Sequence, residues 1–226
     1  MRACVVIPAY DTEETVGDVV AQCRAVVPSV LVVDDGSHDR TGRAAADAGA
    51  EVVALGINRG KGAALVAGLA TALVRGFDVA LTVDADGQHS AEDLPKLLAA
   101  GGPRSIVLGV RDLAEAGAPK ANQVSNGISN YFLSRFAHRP LRDTQCGLRR
   151  YPILDTLALG AGGTGYEWEA EVLLRALHSG MDVVEVPIRV IYPPGKSRKT
   201  HFVVRRDVPR IIEHVLRAQL GRSNGR

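Results

Sequence analysis

The sequence predicts an α/β domain built on a mainly parallel central sheet with helices on both faces. Three observations lead there. Short β-branched or aliphatic runs alternate with segments of helical apolar period through the first half of the chain. That alternation is the pattern of β-α-β units, whose helical crossovers join parallel strands. Polar clusters, Asp34-Asp35-Gly36-Ser37, Asn58-Arg59-Gly60-Lys61-Gly62 and Asp84-Ala85-Asp86-Gly87-Gln88-His89, stand at or just beyond the ends of those runs. Such sheets bind ligands beyond the carboxyl ends of their strands.

Ala3 to Ile7 reads as the first strand. Asp11-Thr12-Glu13-Glu14 resembles a capping box, with Asp11 as cap and Glu14 reaching back. Val16, Val19, Val20, Cys23 and Val27 then recur at helical spacing. Val30 to Val33 is a second strand, an Ala-rich helix runs from about Thr41 to Ala48, and Glu51 to Leu55 is a third short strand. The helix after Lys61 carries Leu65, Leu69, Leu73 and Val74 on one side. Val79 to Val83 is apolar almost throughout, as a strand buried on both faces must be. A helix opened by Ser90, with Asp93 three residues on, precedes a strand from Ile106 to Gly109.

The second half is less regular. Val124, Ile128, Tyr131, Phe132 and Phe136 suggest an amphipathic helix, and a second helix is expected from about Trp168 to His178, with Trp168 in the core. Val183 to Ile191 is a strand whose Pro187 marks an edge or a bulge. Val208, Ile211, Ile212, Val215, Leu216 and Leu220 form the apolar stripe of a last helix flanked by arginines.

The 226 residues suffice for one well-buried domain, and a single domain over residues 1–226 is expected. No apolar run reaches the roughly 20 residues of a membrane helix, and the opening residues are too few for a signal peptide. Cys4, Cys23 and Cys146 are scattered and lack metal-ligand spacing, which fits reduced thiols of a cytosolic protein. Net charge is +2, yet the first fifty residues are acidic and the chain from Arg189 onward is strongly basic, which invites an anionic partner. With only 4% aromatic residues there is little material for base stacking, so nucleic acid is not an expected partner.

Asp84 and Asp86 end a buried strand, and hard oxygen ligands there suit Mg²⁺ or Mn²⁺ holding a diphosphate; the alternative is an ordinary surface turn. Asp34-Asp35 could hydrogen-bond a nucleoside. Lys61 offers a cation within glycines or a mere helix-start charge. The segment is not a Walker loop, since Leu55 stands five residues before Gly60 and Gly62 follows Lys61; no Gly-x-Gly-x-x-Gly follows the first strand either.

Taken in order, Val6-Ile7-Pro8-Ala9-Tyr10, Val33-Asp34-Asp35-Gly36-Ser37, Asn58-Arg59-Gly60-Lys61-Gly62-Ala63 and Asp84-Ala85-Asp86-Gly87-Gln88-His89 resemble the motifs of family 2 glycosyltransferases with the GT-A fold. Asp143-Thr144-Gln145-Cys146-Gly147-Leu148-Arg149 and Gly165-Tyr166-Glu167-Trp168-Glu169 resemble segments of the polyprenyl-phosphate transferases of dolichol-phosphate mannose synthase type. The resemblance covers essentially the whole chain and divides it into a nucleotide-sugar half, residues 1–111, and an acceptor half, residues 112–226.

The resemblance implies a metal-dependent, inverting transfer from a GDP- or UDP-sugar to polyprenyl or dolichyl phosphate. A soluble hydroxyl or phosphorylated acceptor, or a non-catalytic nucleotide-sugar-binding subunit, is the alternative. Pro8, Ala9, Tyr10, Glu13 and Asp35 would contact the nucleotide sugar, with Lys61, Asp84, Lys196 and Arg198 around its phosphates. Asp84, Asp86 and Gln88 would surround the metal. Arg111, Lys120, Ser125 and Ser129 would receive the acceptor. Asp86, Asp143, Glu167 and Arg149 form the implied catalytic set, in which Asp143 or Glu167 serves as base if the acceptor is a hydroxyl. The chain departs from the family pattern at Asp11-Thr12, where Asn-Glu is usual, and at Pro193-Pro194, which precede Gly195-Lys196-Ser197. A cytoplasmic protein is implied, with the basic last helix able to dock at the inner membrane face or to pack on the sheet.

Overall fold

The computed structural model describes residues 1–191 together with Asp207, Pro209, Arg210, Ile211, Glu213 and His214. Its elements in chain order are β1 (Ala3–Ala9), α1 (Val16–Arg24), β2 (Val30–Asp34), α2 (Thr41–Asp47), β3 (Glu51–Ala54), α3 (Lys61–Val74) and β4 (Val79–Thr82). A 3₁₀ turn (Ala91–Asp93), α4 (Leu94–Ala99), β5 (Ile106–Arg111), α5 (Lys120–Ala137), β6 (Arg149–Pro152), α6 (Ile153–Ala158), α7 (Glu167–His178) and β7 (Val183–Ile188) follow.

The strands form one seven-stranded sheet in the order β3-β2-β1-β4-β6-β5-β7. All neighbours pair in parallel except around β6, which runs antiparallel to both β4 and β5. Alternate residues of each central strand serve opposite faces. Val6 and Val33 pack with Leu65 and Leu69 of α3 and Leu173 of α7. Val5 and Ile7 pack with Val16 and Val20 of α1 and with Leu94 and Leu97 of α4. Helices thus cover both faces, as the sequence predicts. Burying each such aliphatic side chain contributes roughly 1.5–3 kcal/mol. Trp168 is in the core, and Pro187 lies on β7 at the sheet edge.

Four features depart from the sequence expectations. β6 is a strand the sequence did not announce, because Arg149-Arg150-Tyr151-Pro152 contains no apolar run. Both guanidiniums are buried and donate to chain carbonyls, Arg149 to Cys146, Thr144 and Glu169, and Arg150 to Ala100 and Gly102. Satisfying those donors removes most of the cost of burial.

The expected capping box does not form. α1 begins at Val16 with no side-chain cap, and Asp11 adopts a left-handed φ of 49°. Its carboxylate accepts the His38 N–H at 2.7 Å, so it stitches the loop after β1 to the loop after β2. α3 has the expected Leu65 and Leu69 inside, but Val74 is 81% exposed.

The largest departure is α5. The amphipathic helix exists, but of its predicted stripe only Phe136 packs on the core: Ser125, Asn126, Ser129 and Leu133 face inward, while Val124, Ile128, Tyr131 and Phe132 face out. Of the last predicted helix, the described residues include Ile211, which is buried in the core beside α7 and so favours packing on the sheet. Val208, Ile212, Val215, Leu216 and Leu220 lie outside the described residues. Cys4, Cys23 and Cys146 are free and buried, and burial pushes each thiol up to about 12, which makes them inert.

Candidate active site

A cavity of about 900 Å³ opens beyond the carboxyl ends of β1, β2, β4 and β5. One wall carries Pro8, Ala9, Tyr10, Asp35, Lys61, Asp84, Asp86 and Gln88; the facing wall carries Arg111, Ser125, Ser129, Thr144, Glu167 and Glu169. Sheet register explains the first wall. Ala9 pairs with Asp34, and Asp34 pairs with Ala54, so three strands end level with one another.

Asp35 organises the approach to α3. Its two carboxylate oxygens accept the N–H groups of Arg59 and Gly60 at 2.8 and 2.7 Å, satisfying donors ahead of a helix that has no side-chain cap of its own. Gly60 is needed there: its φ is 96°, and a Cβ would lie 2.6 Å from the Thr164 carbonyl oxygen. The turn delivers Lys61 into the cavity floor.

Lys61 Nζ lies 2.7 Å from Asp84 Oδ1 and 2.9 Å from Glu169 Oε2. Glu169 Oε1 is 3.5 Å from Arg149 Nε. Two cations and two carboxylates therefore balance in a largely closed cluster that ties the end of β4 to α7 and β6. Burial alone lowers the Lys61 ammonium pKa, but Asp84 and Glu169 together hold it above its ordinary value. Burial raises Asp84, and Lys61 with His89 outweighs that effect, keeping its carboxyl well below the usual range. Asp84 also rests on Gly147, where a Cβ would come 2.1 Å from Asp84 Oδ2.

Asp86 is different. Among the described residues it makes no ion pair; its Oδ1 accepts only the Gln88 N–H at 3.0 Å, and it opens onto the cavity. Asp86 is solvent-exposed at the cavity, yet the protein packed around it, followed by the charge on Asp84, raises its carboxyl above its ordinary range. A cation would reverse that penalty. No group of three or more His, Cys, Asp or Glu side chains converges among the described residues, so a divalent ion here would draw on Asp86, the Gln88 amide oxygen, and oxygens of its ligand. Sparse protein ligation by oxygens is how Mg²⁺ is usually held beside phosphates. The residues fit such an ion. Asp84, with its partners in place, is the less available of the two aspartates.

On the facing wall, Arg111 is held rigidly. Asp143 accepts from its Nε at 2.7 Å, its Nη2 at 2.9 Å and its backbone N–H at 3.0 Å, and from Asn126 Nδ2 at 3.0 Å. Asp143 is fully buried and does not reach the cavity, so the expectation that it could be a base is corrected: its oxygens are spent on positioning Arg111. Arg149 is likewise corrected from the catalytic set, because it is sealed behind the wall on carbonyls and Glu169. Glu13 does not line the cavity; it binds the backbone N–H and Nε of Arg40. Lys120 begins α5 on the outside, away from the cavity.

Ser125 and Ser129 are where the sequence expects them, and Ser129 Oγ is 3.1 Å from Thr144 Oγ1. Glu167 lines the cavity, with Oε1 accepting the Thr164 and Gly165 N–H groups. Lys196 and Arg198 lie outside the described residues. His89 is buried behind Asp84 rather than on the cavity. Glu169 is the functional residue that sequence reasoning left without a role. The available signal was a carboxylate on the inner face of a helix rich in buried apolar residues.

A family model described as glycosyl transferase family 2 matches residues 4–153. The chain belongs to glycosyl transferase family 2. The protein is thus a glycosyltransferase, and its fold is GT-A. It is 31% identical over 233 residues to an undecaprenyl-phosphate mannosyltransferase of Micrococcus luteus, covering 97% of this chain and 96% of that one. It is 30% identical over 240 residues to a polyprenol monophosphomannose synthase of Mycolicibacterium smegmatis, covering 99% and 91%. Among solved structures, glucosyl-3-phosphoglycerate synthase from Mycobacterium tuberculosis with Mn²⁺, uridine diphosphate and phosphoglyceric acid superimposes with a TM-score of 0.72 at 19% identity, covering 97% of this chain and 78% of that one. No helix among the described residues of the transferase is long and apolar enough to cross a membrane.

Proposed function

We propose that this transferase moves a sugar from a nucleoside-diphosphate donor, GDP- or UDP-linked, to the phosphate of a polyprenyl lipid, with inversion at the anomeric carbon. The observation that carries the reading is the second wall: a rigid guanidinium faces the cavity, and the carboxylate beside it is sealed by four donors. A phosphate acceptor is already anionic near neutral pH, so it needs a cation to receive it and no strong base. The names of two whole-length relatives support a lipid phosphate.

In this reading residues 1–111 bind the donor and the remainder binds the acceptor, as halves of a single domain. Pro8, Ala9, Tyr10 and Asp35 line the nucleoside end. Asp86 and Gln88 hold Mg²⁺ or Mn²⁺, a choice supported by the Mn²⁺ and uridine diphosphate in the solved relative of the same fold. When bound, the ion supplies Lewis-acid neutralisation of the departing diphosphate. Arg111, Ser125 and Ser129 orient the acceptor phosphate, whose oxygen forms the new bond to the anomeric carbon as the bond to the leaving phosphate breaks. Lys61 fixes Asp84 beneath the sugar-phosphate region.

A phosphorylated soluble acceptor is the second reading, favoured by the phosphoglyceric acid in the solved relative, because Arg111 offers the same charge to any phosphate. A thermal-shift panel of GDP- and UDP-sugars with Mn²⁺ or Mg²⁺ tests the donor. Ligand at about 100 times its Kd stabilises by roughly 2.7 kcal/mol, a rise of about 5–10 °C for a chain of this size. A flat response across the panel overturns the reading. Transfer to citronellyl phosphate but not to phosphoglyceric acid selects the lipid class.

Asp143→Asn tests the role of the sealed carboxylate. Losing its charge beneath Arg111 is expected to cost about 3–5 kcal/mol in urea denaturation, as for one partner of a buried ion pair. The acceptor KM should rise while the shape of the kcat pH profile stays unchanged. Disappearance of a limb of that profile would make Asp143 a base after all.

A further inference from the structure

The outer side of α5 carries the most concentrated apolar exposure on the described surface. Val124 is 61% exposed, Ile128 42%, Tyr131 70% and Phe132 36%. At about 100° per residue these four positions fall within a sector of roughly 120°. Lys120 and Arg135 are exposed in that same sector, one at each end, and the eighteen residues of the helix include no Asp or Glu. The neighbouring side of the helix carries Ser125 and Ser129 into the cavity wall. A soluble helix normally buries its apolar stripe and exposes its polar side; this one buries Leu133 and part of Phe136 but leaves four large apolar side chains in solvent while Ser125, Asn126 and Ser129 face inward.

We infer that α5 docks the transferase onto an anionic lipid surface, with Val124, Ile128, Tyr131 and Phe132 inserted at the headgroup boundary and Lys120 and Arg135 on the headgroups. This rests on the lipid-acceptor reading for its purpose, since a phosphate held by Arg111 and Ser129 would extend its hydrocarbon tail past this helix. Charge and position select the occupant. Basic ends around an aromatic and aliphatic strip match an anionic bilayer interface. A second copy of the chain fits less well, because four partly exposed side chains fall well short of the roughly 800 Å² per partner in a standard interface.

The test is co-sedimentation of the purified protein with vesicles of equal phosphatidylglycerol and phosphatidylcholine at low salt. The protein should bind, and high salt should weaken binding. Ile128→Ser combined with Tyr131→Ser should weaken it by about tenfold or more. Arg135→Glu should weaken binding to these vesicles in a salt-dependent way, and Val74→Ser, at an equally exposed apolar site elsewhere, should change nothing. Melting temperatures of all variants should match the parent, and transfer to water-soluble citronellyl phosphate should be retained by the double variant.

Absence of parental binding, or equal binding by the double variant, overturns the inference even if transfer to citronellyl phosphate proceeds. If sedimentation velocity without lipid shows that the double variant dissociates a dimer, the stripe joins copies of the chain and the inference also fails. Conversely, stripe-dependent vesicle binding without any transfer to a polyprenyl phosphate keeps the docking surface and removes the acceptor reading.

Discussion

Asp86→Asn is expected to abolish sugar transfer, by about a thousandfold or more, while the protein keeps its fold. The substitution preserves shape and removes one negative charge from a carboxylate that has no ion-pair partner among the described residues. In the metal-free protein that charge is a liability, because the cavity walls and Asp84 already disfavour it. The variant should therefore be as stable as the parent, or slightly more so, in buffer containing a chelator. Its melting temperature should no longer rise when Mn²⁺ and a nucleotide sugar are added together. Lost transfer with an intact melt assigns the effect to the charge at the cavity rather than to folding. Retained transfer would move the cation away from this loop.

Lys61→Met should strongly destabilise the fold. Methionine fills the same channel but leaves Asp84 and Glu169 facing each other without the cation that lies 2.7 and 2.9 Å from them. Breaking one side of such a cluster typically costs about 3–5 kcal/mol. Urea denaturation in chelator should show a lower midpoint at pH 7 with an unchanged slope.

The sign of the pH dependence follows from Asp84. In the parent its carboxyl is held below the usual range, so its contribution to stability is present above the ordinary aspartate pKa and is lost as pH falls through and below it. Lys61→Met removes that depression, so parent and variant should converge as the pH drops below about 4. A constant gap across pH 4–8 would mean that the lysine contributes packing alone. Transfer should also collapse, since Asp84 would lose the contact that fixes it above Gly147.

Much of this was readable along the chain. Val79 to Thr82 reads as a strand covered on both sides, and all four of its residues are buried in one. The aspartates after it had to emerge at the sheet edge, and Asp35, Lys61 and Asp86 meet there. Elsewhere the sequence misled for identifiable reasons. Arg149 looks catalytic, and Arg149-Arg150 gives no strand signal, until the carbonyls that accept their donors are brought in from Ala100, Gly102, Cys146 and Thr144. Asp11 looks like a helix cap and Glu13 like a nucleotide contact until the loop after β2 supplies His38 and Arg40. Asp143 looks like a base until Arg111, thirty-two positions earlier, closes on it.

The sequence by itself determined the alternation of strands and helices in the donor half and the sheet edge at which its polar clusters gather. Periodicity and strand-end chemistry are local, and a local pattern suffices when each β-α unit packs on the one before it. Only the tertiary structure decided which charges are spent and which remain. Lys61 is consumed by Asp84 and Glu169, Asp143 by Arg111, and Asp86 is left facing the cavity. It also decided that α5 turns its serines inward and its aromatics out. Ion pairing and burial depend on distances between residues far apart in the chain, and those distances exist only once the sheet has closed around β6.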